Sequence, residues 1–204
     1  METPMQPASI LEHAFPGCTV PSPDTAIATL TSAFVADPVI RWMYPEADDY
    51  MAGFPAFLRA FGGPAFEDET VAGNTAGSAV ALWIRPGAVP NEAAIVDSLI
   101  TTVAPTRHAD LFAVFEQMDA FHPHFDHWYL PWFGVDASAQ GQGLGYALMQ
   151  HCLERIDTDQ LPAYLESPNP RNIPFYQRFG FRVIGAARHG DCPPVTFMLR
   201  DARA

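Results

Sequence analysis

The sequence contains no lysine. All eleven basic residues among its 204 are arginine, and twenty-three aspartates and glutamates oppose them, for a formal net charge of −12. A chain without lysine cannot build a Walker A phosphate loop. A balance this acidic repels a phosphate backbone, so nucleic acid is not an expected partner. Cysteine is scarce as well: Cys18, Cys152 and Cys192 are odd in number, widely spaced and in no C-x-x-C pair. That argues against a disulfide framework and against a cysteine zinc site, and leaves them as small apolar residues. No apolar run reaches spanning length, and the opening METPMQPASILEHAF carries acids with no basic stretch ahead of an apolar one. A cytoplasmic protein without a membrane partner is the expectation.

What is present is enough apolar sequence, 49% of the residues, for one core. The expected organisation is a single domain over 1–204, with an arm over 1–20 that includes a short strand at Cys18 to Val20. Asp24 is the expected cap of a helix that reads on toward Pro38, and DDYMAGFPAFLRAFGG reads as a second helix closed by Gly62 and Gly63. Strands are expected near Thr70 to Ala72 and in SAVALWIRP, with the turn signal Gly73-Asn74 between them. Asn91 to Phe121 is helical by periodicity, interrupted at Pro105. HWYLPWFGVD is apolar on both alternating faces, as a strand in the middle of a sheet is, and Pro131 within it requires a bulge or a point where the neighbouring strand leaves. The chain ends with a helix after the glycines, a strand at LPAYLES, a short helix around FYQRF capped by Asn172, and strands near FRVIG and PVTFMLR.

Residues 139 to 148, AQGQGLGYAL, place Gly141, Gly143 and Gly145 at alternate positions just before the helical run YALMQHCLERI. Glycine there permits positive φ and close approach of a ligand to bare N–H groups, at the end of a helix that favours negative charge. A tight turn with no ligand is the alternative. The spacing is G-x-G-x-G rather than the dinucleotide fingerprint G-x-G-x-x-G, and it comes late in the chain.

Gln140-x-x-Gly143-x-Gly145 between a bulged strand and a helix resembles the Q/R-x-x-G-x-G/A signature of the GNAT superfamily of N-acetyltransferases. YLESPNPRNIPFYQRFGFRVIG resembles the second half of that family's core, and together the two stretches cover about Trp128 to Gly185. The resemblance implies a mixed α/β (α+β) fold, with a mostly antiparallel sheet, a splayed pair of central strands and flanking helices. The acetyl-CoA-binding core falls at 128–185. Within the superfamily, the segments most resemble puromycin N-acetyltransferase-like small-molecule acetyltransferases.

The resemblance also implies roles. Gln140, Gly141, Gln142, Gly143, Leu144, Gly145 and Tyr146 would hold the pyrophosphate of acetyl-CoA. Gln142 stands where many relatives carry Lys or Arg, so Arg171 or Arg178 is expected to contribute charge. The pantetheine arm would lie along Phe133, Gly134 and Val135, with the Val135 N–H facing the thioester oxygen, and Asn169, Asn172 and Phe175 would approach the coenzyme. Tyr176 matches the tyrosine that protonates the departing thiolate, and an ordinary phenol pKa near 10 suits that task.

The base is open between Glu166, at a strand end, and His127, with His122 and His124 in the same FHPHFDHW segment. H-x-H-x-x-H also invites a metal reading, which the loop context disfavours, so no metal is expected. Trp128 and Trp132 are expected to wall the acceptor pocket, with core packing as the alternative. The expected activity is transfer of acetyl from acetyl-CoA to a small-molecule amine by direct attack in a ternary complex, and the acidic surplus favours an ammonium substrate. The competing readings are a non-catalytic acyl-CoA-binding or sensing module and a protein N-acetyltransferase. The sequence leaves the oligomeric state open, a homodimer included.

Overall fold

The computed structural model describes residues 18–203. Most of the amino-terminal arm, residues 1–17, lies outside the described residues. Of the expected strand at Cys18 to Val20, what forms is a single bridge between Thr19 and Gly73.

The elements follow in the order α1 (Pro23–Ala33), α2 (Pro38–Met43), α3 (Ala47–Phe61), α4 (Gly63–Glu67), β1 (Val71–Gly73) and β2 (Ala79–Ile84). Then come α5 (Glu92–Thr102), α6 (His108–Phe121), β3 (Trp128–Val135), α7 (Leu144–Thr158), β4 (Ala163–Ser167), α8 (Ile173–Gln177), β5 (Arg182–Ala187) and β6 (Val195–Arg200). The six strands form one sheet in the order β1-β2-β3-β4-β6-β5, in which only the β3–β4 pair is parallel. This is the mixed, mostly antiparallel sheet that the family resemblance implies. Helices from α1 to α6 pack on one face, around Leu30, Phe54 and Leu82. Helices α7 and α8 cover the other, around Trp83, Met149 and Tyr176. The central strands are therefore buried on both sides, which is why their sequences are apolar without alternation.

Two caps differ from expectation. Helix α1 opens on Pro23, whose fixed φ suits the first helical position, so the cap falls on the residue before it. Ser22 Oγ accepts from Thr25 N–H, and Asp24 sits in the first turn instead. Helix α8 is preceded by a 3₁₀ turn over Pro170–Asn172, and the capping oxygen belongs to Asn169, which accepts from Arg171 N–H at 3.1 Å. Asn172 makes no side-chain cap. Pro174 is accommodated because it lies in the first turn, where no intrahelical donor is needed. Gly180, at φ +89°, lets the chain turn out of α8 into Phe181.

At Pro131 the sheet does what the sequence requires. Leu82 pairs with Trp132 but Ile84 pairs with Tyr129, so Leu130 and Pro131 together stand opposite Trp83. Proline, lacking an N–H, occupies the bulge. The parallel pairing of β3 with β4 covers Trp128 to Leu130 against Ala163 to Leu165 and ends there, although both strands continue. The central strands thus part at Pro131. At the paired end of β4, Arg200 of β6 is buried and holds Asp157 of α7 through both terminal guanidinium nitrogens, at 2.6 and 2.8 Å. That pair fixes α7 to the sheet.

Candidate active site

The opening between β3 and β4 has two sides. On one side lies a cleft of about 650 Å³ bounded by β3, the glycine loop, the α8 region and the loop from α1 to α2. Every residue expected at the coenzyme borders it except Gln142. Arg171 and Arg178 border it as well.

The backbone explains what this cleft can hold. Gly141 and Gly143 adopt φ of +77° and +79°, and a Cβ built on either would meet nothing within 4 Å. The space over the loop is open, and the conformation is one that a side chain would strain. Gly143 leads directly into α7, whose first-turn N–H groups have no intrahelical acceptors and point out at the positive end of the helix. A diphosphate fits such a place on geometric grounds. Gln140 turns back and donates from Nε2 to the Val135 carbonyl at 3.1 Å, tying the loop to the end of β3.

Strand alternation fixes the direction of Val135. The Asp136 N–H donates to the Ser78 carbonyl at 2.8 Å, across to β2. Amides alternate along an antiparallel strand, so the Val135 N–H points the opposite way, to the edge that β4 has left. Gly134 serves packing: a Cβ there would lie 2.6 Å from that of Ala33, so α1 sits against bare backbone.

Tyr176 borders the cleft and is 7% exposed. Burial, and then the nearby Asp37 carboxylate, push its phenol above the ordinary value near 10 that the sequence reading assumed. The hydroxyl therefore remains a neutral donor through the working range, and a thiolate placed in the same low-dielectric site is made more basic in step with it.

Asp37 is a residue the sequence reading missed. It is 5% exposed, caps α2 by accepting from Val39 and Ile40 N–H at 3.0 and 3.1 Å, and borders the cleft. Burial outweighs these two bonds and raises its pKa to about 6. The available signal was Asp37-Pro38, a capping residue before a proline.

On the far side of the opening is an apolar cavity. Its walls include Met43 of α2, Phe57 and Phe61 of α3, Phe115 of α6 and Trp132 of β3. Glu166, with its side chain 7% exposed, is the carboxylate in that wall. One oxygen accepts from the Tyr129 hydroxyl. The other lies 3.7 Å from His122 Nδ1. His127 Nδ1 donates to the Phe125 carbonyl at 2.7 Å, which leaves its Nε2 to accept from His122 Nε2 at 3.2 Å. Burial lowers the His127 pKa first of all, consistent with this neutral form.

The two candidate bases are thus joined through a third residue. Glu166 faces the cavity, His122 is next, and His127 borders neither space. His124 is exposed, and among the described residues no group of three or more metal-ligating side chains is assembled. The bulge also separates the two tryptophans, because it restores Tyr129 and Trp132 to the same face. Trp132 walls the cavity, whereas Trp128 lies on the opposite face and donates from Nε1 to Asp159 at 2.9 Å. The expected pairing of the two tryptophans in one pocket is therefore corrected.

Comparisons with known proteins fit this geometry. Residues 111–181 match the model of the Acetyltransferase (GNAT) family. An uncharacterized N-acetyltransferase of Schizosaccharomyces pombe is 34% identical over 87 residues, which cover 41% of this chain and 35% of that protein. The matched region is thus about a third of that relative's length. The crystal structure of histone acetyltransferase HPA2 and related acetyltransferase from Corynebacterium glutamicum is similar over 93% of this chain and 98% of its own, with TM-score 0.63 and 26% identity. Mosquito arylalkylamine N-acetyltransferase like 5b shares the fold over 87% of this chain and 94% of its own, at TM-score 0.51 and 12% identity. Among the described residues, no helix is long and apolar enough to cross a membrane. The family match spans the parted strands, the glycine loop and the tyrosine helix, and with the end-to-end likeness in fold it supports placing the chain in the GNAT acetyltransferase superfamily.

Proposed function

We propose that the protein is an N-acetyltransferase that moves the acetyl group of acetyl-CoA to a small-molecule amine in a ternary complex. The observation that carries this reading is the parting of β3 and β4 at Pro131, with the outward Val135 N–H, the open glycine loop and Tyr176 on one side and Glu166 on the other. When bound, the thioester supplies an activated acetyl group. The amides of Gln140 to Tyr146 hold the diphosphate, helped by Arg171 or Arg178, and the exposed edge of Phe133 to Val135 aligns the pantetheine arm. The Val135 N–H donates to the carbonyl oxygen, where negative charge gathers during attack.

Glu166 takes one proton from the amine as its nitrogen bonds to the acetyl carbon, and passes it to His122, whose side chain is 34% exposed and reaches solvent. Tyr176 gives one proton to the sulfur as the carbon–sulfur bond breaks. Tyr176 regains its proton from solvent as His122 gives one up, so the neutral amine and thioester yield the amide and free thiol with no net change in protons. Tyr129 holds Glu166 in place through its hydroxyl. The likeness of the core segments to puromycin N-acetyltransferase-like enzymes belongs to this proposal.

A second reading, acetylation of a protein amine, draws on the name of the Corynebacterium neighbour. The aromatic cavity beside Glu166 supports a small acceptor instead. A merely acyl-CoA-binding module would need neither Tyr176 nor the Glu166–His122 pair. The test is ligand stabilisation. Acetyl-CoA at a hundredfold excess over its Kd stabilises the protein by ~2.7 kcal/mol, whereas ATP and nicotinamide dinucleotides leave it unmoved. An equal shift with ATP overturns the proposal.

A further inference from the structure

The amine's proton ends its path on His122, and that ring can take it in only one form. A neutral imidazole carries one hydrogen, so for His122 to accept from Glu166 its Nδ1 must be bare while Nε2 holds the hydrogen. Glu166 itself favours the opposite form. Its carboxylate stands beside Nδ1 and is best satisfied by an N–H there, yet a hydrogen already resting on Nδ1 occupies the place that the incoming proton must enter.

His127 opposes that pull. Its Nδ1 lies 2.7 Å from the Phe125 carbonyl, which can only accept, so the one hydrogen of the neutral ring sits on Nδ1 and Nε2 keeps a lone pair. That lone pair is 3.2 Å from His122 Nε2, which is then the donor. His122 Nδ1 is left bare toward Glu166, and the 3.7 Å between them is longer than a hydrogen bond, as expected of two lone pairs with no hydrogen between them. Packing holds both rings in these orientations. His127 is 9% exposed and meets Phe125 and Tyr164 edge-on, and His122 meets Tyr129 and Tyr164 edge-on at 4.9 Å. The titratable groups facing the pair are Glu166 and Tyr164 of β4, Tyr129 of β3 and Asp126, next to His127 in the chain. Both tyrosines stay neutral, because burial pushes their phenols up.

We infer that His127 is a positioning residue for the transfer: by accepting from His122 Nε2–H, it holds His122 in the form whose bare Nδ1 faces Glu166. This rests on the acetyl-transfer reading of the same site. When the amine's proton has reached Glu166, the carboxyl O–H bond breaks as the His122 Nδ1–H bond forms. The resulting imidazolium has both hydrogens held, one by Glu166 and one by His127, until it gives one up to solvent.

The test is long-range proton–nitrogen NMR of the histidine rings in the free protein at pH about 8, where histidine is ordinarily neutral. Beside it, single-turnover thiol release from acetyl-CoA is followed with 2-phenylethylamine as the acceptor. The expected spectrum shows His127 with its hydrogen on Nδ1 and His122 with its hydrogen on Nε2. In His127→Phe, which removes the acceptor and keeps a ring, the His122 hydrogen moves to Nδ1. Thiol release slows about tenfold or more, part of the ~10² to 10⁴ that a general base supplies, while acetyl-CoA affinity stays within a few fold. His127→Gln, whose side-chain oxygen can take the place of Nε2, returns His122 to the Nε2 form and restores the rate to within about threefold.

A His122 hydrogen on Nδ1 in the parent protein, a His122 form that does not change in His127→Phe, or an equal loss of rate in His127→Gln and His127→Phe overturns the inference. The parent spectrum decides between the two forms by itself should a variant not fold. The two levels separate cleanly. Another hydrogen pattern with thiol still released removes the role of His127 and keeps acetyl transfer. The expected pattern without thiol release removes the transfer reading and leaves His127 as the residue that sets the form of His122.

Discussion

The two sides of the parted strands are built in different ways. The coenzyme cleft takes its open backbone from β3 and the glycine loop, beside side chains of the α1–α2 loop and of the turn and helix at α8. The cavity is made of side chains drawn from α2, α3, α6, β3, β4 and the segment Cys192 to Val195. Backbone recognition depends on φ values and free amides, which a few adjacent glycines determine. Side-chain recognition depends on which distant helices cross, and its residues must also serve as the core. The cleft should therefore tolerate change without unfolding, and the cavity should not.

The largest effect expected from this contrast is on the cavity side. Phe57 is 3% exposed and touches Phe61, Phe115 and Trp132, so Phe57→Ala should cost about 3–5 kcal/mol in denaturant unfolding. A loss below about 1 kcal/mol would show that the cavity is separable from the core.

Tyr176→Phe tests the seam between the two sides. It keeps the ring contacts with Phe133 and Phe175 and removes the proton donor. Single-turnover acetylation should slow by ~10² to 10⁴, while acetyl-CoA affinity stays within a few fold by calorimetry. An unchanged rate would make Tyr176 structural.

Asp37 joins the sides, since its carboxylate borders the cleft and the helix that it caps walls the cavity. Its folded pKa of about 6 lies above the ordinary 3.8. The protonated form is favoured by folding, so this stability is complete below pH ~4 and is lost as pH rises through about 6. Asp37→Asn keeps a capping oxygen without the charge. Its gain over the parent protein should be near zero at the acid end and grow to ~3 kcal/mol by neutral pH, read from paired unfolding curves. A gain that does not vary with pH would show that the charge is not the cause.

On the cleft side, Gly143→Val forces a β-branched residue into φ +79° and fills the open space above the loop. The acetyl-CoA stabilisation of ~2.7 kcal/mol at a hundredfold excess should vanish, with a cooperative unfolding transition retained. Loss of cooperative folding would contradict a loop shaped for a ligand more than for the fold.

Much of this was legible in the sequence where the signal is local. Most strands and longer helices, the bulge at Pro131 and the glycine loop rest on neighbours within a few residues, whereas the short helices α2 and α4 were not read and the place of Tyr176 followed from the family resemblance. The failures were of two kinds. At Ser22 and Asn169, the proline that follows took the first helical position and placed the cap on the residue before it. At Trp128, Trp132 and the histidines, sequence separation misled. Alternation across the bulge put one tryptophan on the far face, and the turn at 122–127 folded His122, not His127, toward Glu166.

The sequence by itself determined that a glycine-opened helix would follow a strand interrupted by proline, because φ freedom and a missing N–H are properties of single residues. Tertiary structure alone decided what stands across the opening: a carboxylate, two histidines in contact and a fixed indole among phenylalanines. Their meeting depends on packing between segments far apart in the chain, and no local preference encodes which side chains such packing brings together.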